Sequence, residues 1–214
     1  MEKHSLKIKK SARYFVSGTP GPSIKKVWFI CHGYGHLGNY FLRKFEELND
    51  STTLFVSCEG LSRFYVSGFS GRVGASWMTK EDRTEDIEDY IGYLNAVYDK
   101  IMNMQTTPVH ITAFGFSQGT ATICRWLEAG SHRVDQLVVW AGGIPDDIDL
   151  VVKRDRFNSF RKVLVVGTQD EFIKETEITS LCNRLDNDGI KKEVIRFEGK
   201  HELHEETLRQ LLVI

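Results

Sequence analysis

The residues Gly115-Phe116-Ser117-Gln118-Gly119 have the G-x-S-x-G spacing that places a nucleophilic serine on a sharp turn. An apolar run typical of a buried strand (residues 109–114) precedes the motif, and a helical pattern follows it. Small flanking residues relieve crowding at such a turn, and the start of the next helix favours the negative charge that develops during acyl transfer. The motif therefore predicts Ser117 as a nucleophile. The alternative is an ordinary turn rich in glycine and serine.

A nucleophilic serine requires a general base, and in this arrangement the histidine comes last in the chain. His201 directly follows the last predicted strand, and Gly199 permits the tight turn that this position needs. His204 lies where the final helix is predicted to begin, and a surface histidine is its simpler interpretation. We therefore predict His201 as the base.

The base needs a carboxylate that orients its ring, and the order Ser, acid, His places this carboxylate after a late strand. Asp170 is the first carboxylate after the strand predicted at residues 162–166. Glu171 is its immediate rival, and Asp146 and Asp147 follow the preceding strand. Each of these could instead be a solvated loop carboxylate. The position favours Asp170 as the acid.

The negatively charged oxygen of an acyl-transfer intermediate needs backbone N–H donors. One donor should be the residue after the nucleophile, Gln118, and the other should come from a loop after an early strand. The segment Cys31-His32-Gly33-Tyr34-Gly35-His36 follows the most apolar early strand, and its glycines let the backbone approach a ligand closely. We predict the amides of Tyr34 and Gln118 as the oxyanion hole, against the alternative of a plain glycine turn.

Two histidine pairs superficially resemble metal motifs. The segment His201-Glu202-Leu203-His204 is one residue short of H-E-x-x-H. His32 and His36 are four residues apart, but glycine-rich sequence surrounds them, which argues against a shared helix. We therefore predict no metal site.

Alternating strand and helix patterns provide the scaffold for these residues. The alternation favours a mostly parallel sheet with helices on both faces. Strands are predicted over residues 27–31, 53–56, 109–114, 136–140, 162–166 and 192–197, and helices over residues 39–48, 84–101, 121–129, 147–157, 175–185 and 205–213. An edge strand with one wet face is predicted from Leu6 to Val16, and Thr84 is the predicted N-cap of the long second helix.

The segment from Glu59 to Arg83 interrupts this alternation and is predicted to be irregular. It is rich in serine and glycine, and its aromatic side chains include Phe64, Tyr65, Phe69 and Trp77. Long loops in compact domains are usually functional or disordered. The aromatic content favours a packed loop that lines the site, although each aromatic side chain could instead belong to the core.

Length and composition bound the remaining possibilities. The 214 residues fit one domain (1–214) without a separate cap domain, and the net charge of −1 gives no global attraction to nucleic acid. The four cysteines are widely spaced and form no C-x-x-C pair, so reduced thiols in a reducing compartment are expected. The sequence shows no signal peptide or membrane-spanning run, which favours a cytoplasmic protein.

Five segments occur in the order found in a known family. Gly115–Gly119 resembles that family's nucleophile motif and His32–Gly35 its H-G-x-G oxyanion segment. Ser76-Trp77 lies where the family often has a tryptophan, and Gly167–Asp170 and Gly199–Glu202 resemble its acid and base segments. The family is the carboxylesterase/phospholipase branch of the α/β-hydrolases, which includes acyl-protein thioesterases. The resemblance covers roughly residues 25–205 and implies a three-layer α/β/α sandwich with the α/β-hydrolase fold.

The chain also departs from this family's pattern. Thr120 stands where a second glycine is common, and Tyr34 and His36 stand where a leucine and an acidic residue are common. The proline common after the acid is missing. The resemblance thus implies a preserved triad with an acyl pocket of its own.

The residues and the resemblance together predict a serine hydrolase of carboxylic esters or thioesters with small to medium acyl groups. Ser117, His201 and Asp170 would form its catalytic triad, with no cofactor or metal. The residues expected to contact this small-molecule substrate are Gly33, Tyr34, Phe64, Trp77 and Met78. A non-enzymatic small-molecule binding protein on the same scaffold is the alternative from another class, and an amidase or lactonase would use the same triad.

Overall fold

The computed structural model describes residues 1–213 and is built around a seven-stranded sheet. The strands, in chain order, are β1 (Tyr14–Ser17), β2 (Lys26–Cys31), β3 (Thr53–Cys58), β4 (Ser62–Tyr65), β5 (Val73–Ser76), β6 (His110–Phe116), β7 (Gln136–Trp140), β8 (Arg161–Gly167) and β9 (Glu193–Phe197). The large sheet has the order β1-β3-β2-β6-β7-β8-β9. In it β1 runs antiparallel to β3, and the other neighbouring strands are parallel.

Helices cover both faces of this sheet, which gives the expected three layers. The helices are α1 (Gly38–Glu46), α2 (Arg83–Met102), α3 (Gln118–Ala129), α4 (Arg154–Asn158), α5 (Glu175–Asn187) and α6 (Glu205–Leu212). The apolar side chains of α1 and α6 pack on one face, and those of α2, α3 and α5 pack on the other. Along residues 1–213, no helix has both the length and the apolar character needed to cross a bilayer.

The central strands are apolar along their length because both of their faces are covered. Trp28 and Phe29 are successive residues of β2, so their side chains point to opposite faces. Trp28 contacts Phe45 of α1, with ring centroids 6.3 Å apart, and Phe29 contacts Trp126 of α3 at 6.0 Å. One apolar run therefore anchors helices of both layers.

The parallel arrangement brings the predicted site segments to one edge of the sheet. Cys31 at the end of β2 is paired with Gly115 of β6, and Gly167 at the end of β8 is paired with Phe197 of β9. The loops that follow parallel strands leave from the same edge, where ligands of such sheets bind. The fold therefore gathers the oxyanion segment, the nucleophile turn and the acid and base loops.

The predicted amino-terminal strand is much shorter in the structure. The edge strand begins at Tyr14, whereas Leu6 and Ile8 are 85% and 77% exposed. Lys3 and Lys7 of this segment instead contact acidic residues at the start of α2, as in the 2.8 Å ion pair between Lys7 and Asp89. An alternating pattern forms a strand only where a neighbouring edge is available, and the pairing with β3 covers only residues 14–17.

The segment from Glu59 to Arg83 is not wholly irregular, because β4 and β5 form an antiparallel hairpin within it. Its tip turns through Gly68 and Gly71, whose φ angles are 61° and 89°. The Ala75 N–H donates to the His36 carbonyl at 3.0 Å, and the Gly35 N–H donates to the Ala75 carbonyl at 2.9 Å. The hairpin is therefore joined by main-chain bonds to the oxyanion segment.

Two predicted helices, those over residues 84–101 and 147–157, differ from the structure for identifiable reasons, and α3 also begins three residues earlier than predicted, at Gln118. α2 begins at Arg83 with Asp82 as its N-cap, in a left-handed conformation with φ 51°, rather than with Thr84 as the cap. The helix predicted over residues 147–157 is confined to α4, because Asp149 Oδ1 accepts hydrogen bonds from the N–H groups of Val151 and Val152. Such side-chain bonds to nearby amides favour a turn over a helix.

Candidate active site

The nucleophile turn joins β6 to α3 at Ser117. Ser117 adopts φ 52° and ψ −118°, a conformation that costs an L-residue about 1–3 kcal/mol. Its N–H donates to the Trp140 carbonyl at 2.9 Å, and its own carbonyl accepts from the Thr120 N–H at 3.0 Å and from Thr120 Oγ1 at 2.7 Å. These three bonds hold the turn in its strained conformation.

The glycines of the motif are required because α3 packs directly against β2 and β6. A Cβ atom on Gly115 would lie 2.5 Å from the Gly119 carbonyl oxygen, and one on Gly119 would lie 2.2 Å from the Cys31 carbonyl oxygen. Neither separation is sterically allowed. A glycine is required at position 142 for the same reason, because a Cβ on Gly142 would lie 2.4 Å from Thr120 Oγ1.

Asp170 and His201 are brought together by the loops after β8 and β9. His201 Nδ1 lies 2.8 Å from Asp170 Oδ2, and the side chains are 15% and 0% exposed, respectively. Asp170 Oδ1 accepts from the N–H groups of Phe172 (2.8 Å) and Ile173 (3.0 Å). Since the carboxylate can only accept, Nδ1 carries the proton and Nε2 is left free to act as a base.

The imidazole of His201 lies beside the nucleophile turn. Its ring centroid is 5.0 Å from that of Phe116, the residue before Ser117, and 4.8 Å from that of Phe172. Ser117 and His201 share no hydrogen bond within 3.5 Å among residues 1–213, so of the three predicted side chains only Asp170 and His201 are directly bonded. Catalytic hydrogen bonds are often long without substrate and tighten in the complex.

The rival carboxylates are engaged elsewhere. Asp146 is 98% exposed and pairs with Arg184. Asp147 accepts from Arg125 Nε and Nη2 at 3.0 Å and 2.8 Å, and these bonds hold the pKa of its carboxyl at about 2. Glu171 is exposed to solvent. Of the carboxylates considered, Asp170 is therefore the one bonded to His201.

His204 also has a different role from His201. It is the N-cap residue of α6, with Nδ1 2.9 Å from Thr207 Oγ1. Its ring stacks on Phe197 with the centroids 5.1 Å apart. These contacts indicate that His204 stabilises the start of α6.

His32 holds the oxyanion segment from within the core. Its Nε2 accepts from the Gly60 N–H at 3.0 Å, so the proton resides on Nδ1, which donates to the Gly33 carbonyl at 2.8 Å. The side chain is fully buried, and this burial lowers its pKa to about 4. A neutral imidazole therefore fixes the segment that continues to Tyr34.

The predicted oxyanion donors belong to two segments that meet at Ser117. A Cβ on Gly33 would lie 3.2 Å from Ser117 Cβ, which shows how closely this segment approaches the turn. The Tyr34 N–H makes no hydrogen bond within the described part of the chain. The Gln118 N–H is the first of α3, and such amides have no partner inside their helix. Both donors therefore remain available to a ligand.

The Gln118 side chain is hydrogen-bonded to the main chain of the residues that follow β5 of the hairpin. Its Oε1 accepts from the Trp77 N–H at 3.2 Å, and its Nε2 donates to the Met78 carbonyl at 3.0 Å. Trp77 is 1% exposed and donates from its indole to the His32 carbonyl at 2.8 Å. In this conformation Trp77 supports the oxyanion segment instead of presenting a surface to ligand.

The other predicted pocket residues are divided between two locations. Phe64 packs against the exposed ring of Tyr34, with centroids 5.1 Å apart. Met78 is partly buried, and its sulfur lies 3.6 Å from Arg125 Nη1. The predicted residues therefore do not form one wall.

The histidine pairs considered as metal motifs are separated by these contacts. His32 is committed to main-chain partners, and His36 stacks between Phe41 and Phe116, at 5.5 Å and 5.9 Å. Within residues 1–213, no group of three or more His, Cys, Asp or Glu side chains is arranged to hold a metal ion.

A comparison with known families identifies the family to which this chain belongs. Residues 23–206 match the family model described as serine hydrolase (FSH1). The chain belongs to the FSH1 serine hydrolase family. A search of curated proteins finds no match to this serine hydrolase.

Solved structures share the fold of this serine hydrolase at low sequence identity. Acyl-protein thioesterase 2 of Zea mays superposes with a TM-score of 0.72 at 17% identity, covering 95% of this chain and 98% of the other. The carboxylesterase of Bacillus cereus superposes with a TM-score of 0.66 at 18% identity, covering 94% and 92%. These likenesses establish the α/β-hydrolase fold.

The cavity at Ser117 of this serine hydrolase involves residues that the motifs do not indicate. It has a volume of about 640 Å³, and Ser117 and Thr120 line it together with the loop after β7. Asp147 holds that loop through Arg125 of α3 and through a 2.9 Å ion pair with Arg83 of α2. In the sequence, the only indication of this cluster of Arg83, Arg125 and Asp147 is that Asp147 is a carboxylate after a predicted strand.

Proposed function

We propose that this serine hydrolase cleaves carboxylic esters or thioesters through an acyl-enzyme intermediate. The observation that carries the proposal is the buried Asp170 carboxylate bonded to His201 beside the strained Ser117 turn. The fold similarity to a structure named as a carboxylesterase and to one named as an acyl-protein thioesterase supports esters and thioesters as substrates. The family assignment supports serine as the nucleophile.

In the proposed reaction, Ser117 Oγ attacks the acyl carbon while His201 Nε2 takes its proton. Asp170 keeps the proton of His201 on Nδ1 and stabilises the imidazolium that forms. The tetrahedral intermediate collapses, the alcohol or thiol leaves with the proton from His201, and the acyl group remains on Ser117. Water then attacks this ester by the same steps, and the acid is released.

The Tyr34 and Gln118 amides are the proposed oxyanion hole. Both lie next to the nucleophile, and Gln118 begins α3, so the helix dipole adds to its attraction for negative charge. Removing one such donor from a hydrolase typically lowers kcat by about 10²–10³-fold. The buried, neutral His32 positions this hole from behind because it is bonded to the Gly33 carbonyl.

The cavity at Ser117 supports small to medium acyl groups. Its volume of about 640 Å³ is within the range of small-molecule sites. Gly142, Gly143 and Ile144 form a compact part of the wall, and the lining also includes charged side chains such as Arg125 and Asp147.

The test is turnover of p-nitrophenyl acetate, butyrate and octanoate, and of the matching acyl thioesters. We expect Ser117→Ala to lose at least about 10³-fold in kcat, because water alone then attacks the bound ester. Glu171→Gln is the matched control near the site and should retain activity. Equal turnover by wild type and Ser117→Ala would show that another group performs the reaction.

A fluorophosphonate probe separates an enzyme from a binding protein on the same scaffold. Only a serine activated by its base forms the covalent phosphonate at a useful rate. We expect mass spectrometry to locate the label on Ser117 in wild type and to find none in His201→Ala. A folded wild type that takes up no label would favour the binding protein.

A further inference from the structure

A second and larger cavity lies beside the oxyanion segment. Its volume of about 920 Å³ is in the range of small-molecule sites. Gly35 and His36, which follow Tyr34 in the chain, line one side of it. Leu37, Phe41 and Val73 provide apolar surface. A ligand in this cavity would touch the segment that carries a proposed oxyanion donor.

The charges around this cavity are unbalanced. Its ionisable lining residues include Arg13, His36, Lys44, Arg63 and Arg72, and none of its described lining residues is acidic. The neighbouring carboxylate of Glu59 is 1% exposed and pairs with Arg13 at 2.6 Å and with Arg63 at 3.4 Å. One carboxylate thus serves two arginines, so the cavity keeps an excess of positive charge.

Lys44 and Arg72 are the cations left without a carboxylate. Neither forms a salt bridge within residues 1–213, and Arg72 Nη2 lies 3.4 Å from the Gly35 carbonyl oxygen. Burial lowers the pKa of His36, and the charges of Arg72 and Lys44 lower it further. The positive charges of Lys44 and Arg72 therefore lie on the side of the cavity nearest the oxyanion segment.

This cavity is close enough to the nucleophile to receive part of the same substrate. The His36 ring stacks on Phe116 at 5.9 Å, and the Phe116 ring lies 5.0 Å from His201. Gly33 abuts Ser117, and three further residues of chain, at most about 10 Å of extended backbone, lead to His36. A short apolar spacer would join the two regions.

We propose that this cavity binds an anionic group of the substrate, a carboxylate or a phosphate, through Lys44 and Arg72. The inference rests on the proposed ester hydrolysis and narrows its substrate class. Preferred esters or thioesters carry an anionic end that an apolar spacer joins to the acyl carbon or to the leaving group. Arg72 offers paired N–H donors and Lys44 a compact charge, which together suit either oxyanion.

The test compares p-nitrophenyl hydrogen suberate with p-nitrophenyl octanoate, which have acyl chains of equal length. We expect wild type to favour the hemiester in kcat/KM by about tenfold, the effect of one charged hydrogen bond. Lys44→Gln/Arg72→Gln should lose this preference, so that its kcat/KM values for the hemiester and the octanoate become equal. The control Lys25→Gln/Lys191→Gln removes the same charge before β2 and β9, at the opposite edge of the sheet, and should keep the preference.

Further substrate pairs identify the anion and its location. An octanoyl ester with a terminal phosphate tests phosphate against carboxylate. The pair 4-acetoxyphenylacetate and its methyl ester places the charge on the leaving group. A preference in any pair that depends on Lys44 and Arg72 supports the proposal. The absence of a charge preference in every one of these substrate pairs would overturn the proposal, even if neutral esters are hydrolysed.

Binding of free suberate to Ser117→Ala, measured by calorimetry, is independent of turnover. We expect its affinity to fall about tenfold when Lys44→Gln/Arg72→Gln is added. Suberate binding with this dependence in a protein that hydrolyses no ester would support the anion site and contradict the proposed function. Affinity that is unchanged by the two substitutions contradicts the anion site.

Discussion

Asp170 uses both of its carboxylate oxygens. One accepts from His201, and the other accepts from two main-chain N–H groups of its own loop. These bonds fix the position of the carboxylate independently of the imidazole. The orientation of His201 is thus set by a rigid acceptor, which fits the proposed role of Asp170 in fixing the tautomer of His201.

Asp170→Asn should therefore affect catalysis far more than stability. The Asn oxygen can keep the bonds to Phe172 and Ile173, but its NH₂ group then faces His201 Nδ1 and favours the wrong tautomer. We expect kcat for p-nitrophenyl butyrate to fall by about 10⁴-fold, with little change in Tm. Near-wild-type turnover by this variant would contradict the role of Asp170, and Glu171→Gln is the control.

The residues on the motifs could be predicted from sequence because chain order and strand ends specify them. The structure brings Asp170 and His201 within 2.8 Å of each other, and their catalytic roles remain a prediction. The Arg125–Asp147–Arg83 cluster could not be predicted, since each charge is individually ordinary and only the packing of α2 and α3 brings them together. Trp77 was predicted to contact the substrate, but it is 1% exposed, and this burial depends on the position of the hairpin, which the sequence does not specify.

At the scale of elements, the contact between α3 and β2 determines how the nucleophile turn is built. Gly119 has no side chain at the point where the first turn of α3 crosses the end of β2. This close approach brings the oxyanion segment, which continues from β2, next to Ser117. The steric requirement at Gly119 therefore belongs to the packing of two elements.

Gly119→Ala should be strongly destabilising because its Cβ would lie 2.2 Å from the Cys31 carbonyl oxygen and force α3 away from β2. We expect the free energy of unfolding in urea to fall by about 3 kcal/mol or more, as for severe overpacking. Gly92→Ala is the matched control, since nothing lies within 4 Å of a Cβ on this exposed residue of α2.

The control should gain about 0.5–1 kcal/mol because alanine favours a helix more than glycine does. Equal stability of the two variants would show that the close approach of α3 is unimportant. Circular dichroism at each urea concentration provides the measurement for both.

Elements buried on both faces were predicted well because their apolar runs leave few alternatives. β7 has the predicted bounds, and β2 differs by one residue. The amino-terminal segment was predicted less well, because an alternating pattern does not say whether an edge is free to pair with it. The β4–β5 hairpin was missed since its turn lies in a stretch dominated by glycine and serine.

On the scale of the whole molecule, several histidines are held in neutral form by burial. Burial lowers the pKa of His32 to about 4 and lowers the pKa values of His36, His110 and His132 as well. The unfolded chain binds protons at these groups near pH 6.5, whereas folded His32 binds its proton only near pH 4. The unfolded state therefore holds more protons throughout this window.

The free energy of unfolding should accordingly fall as the pH is lowered from 6.5 to 4. For His32 alone the difference in pKa corresponds to roughly 3 kcal/mol. Urea unfolding at a series of pH values measures this slope. We expect a shallower slope for His32→Gln, whose side-chain oxygen can still accept from Gly60, and an unchanged one for His4→Gln, whose side chain is 82% exposed in wild type. Parallel slopes for His32→Gln and wild type would contradict this role.

The main-chain bonds of Ala75 to Gly35 and His36 make the hairpin a structural support instead of a flap. An outward swing would break both bonds and release the segment that carries the Tyr34 amide. The tip is different, because Gly68 and Gly71 have open space around them. Insertions at the tip can therefore reshape the larger cavity, which Gly71 lines, while the base of the hairpin remains under steric and hydrogen-bonding constraint.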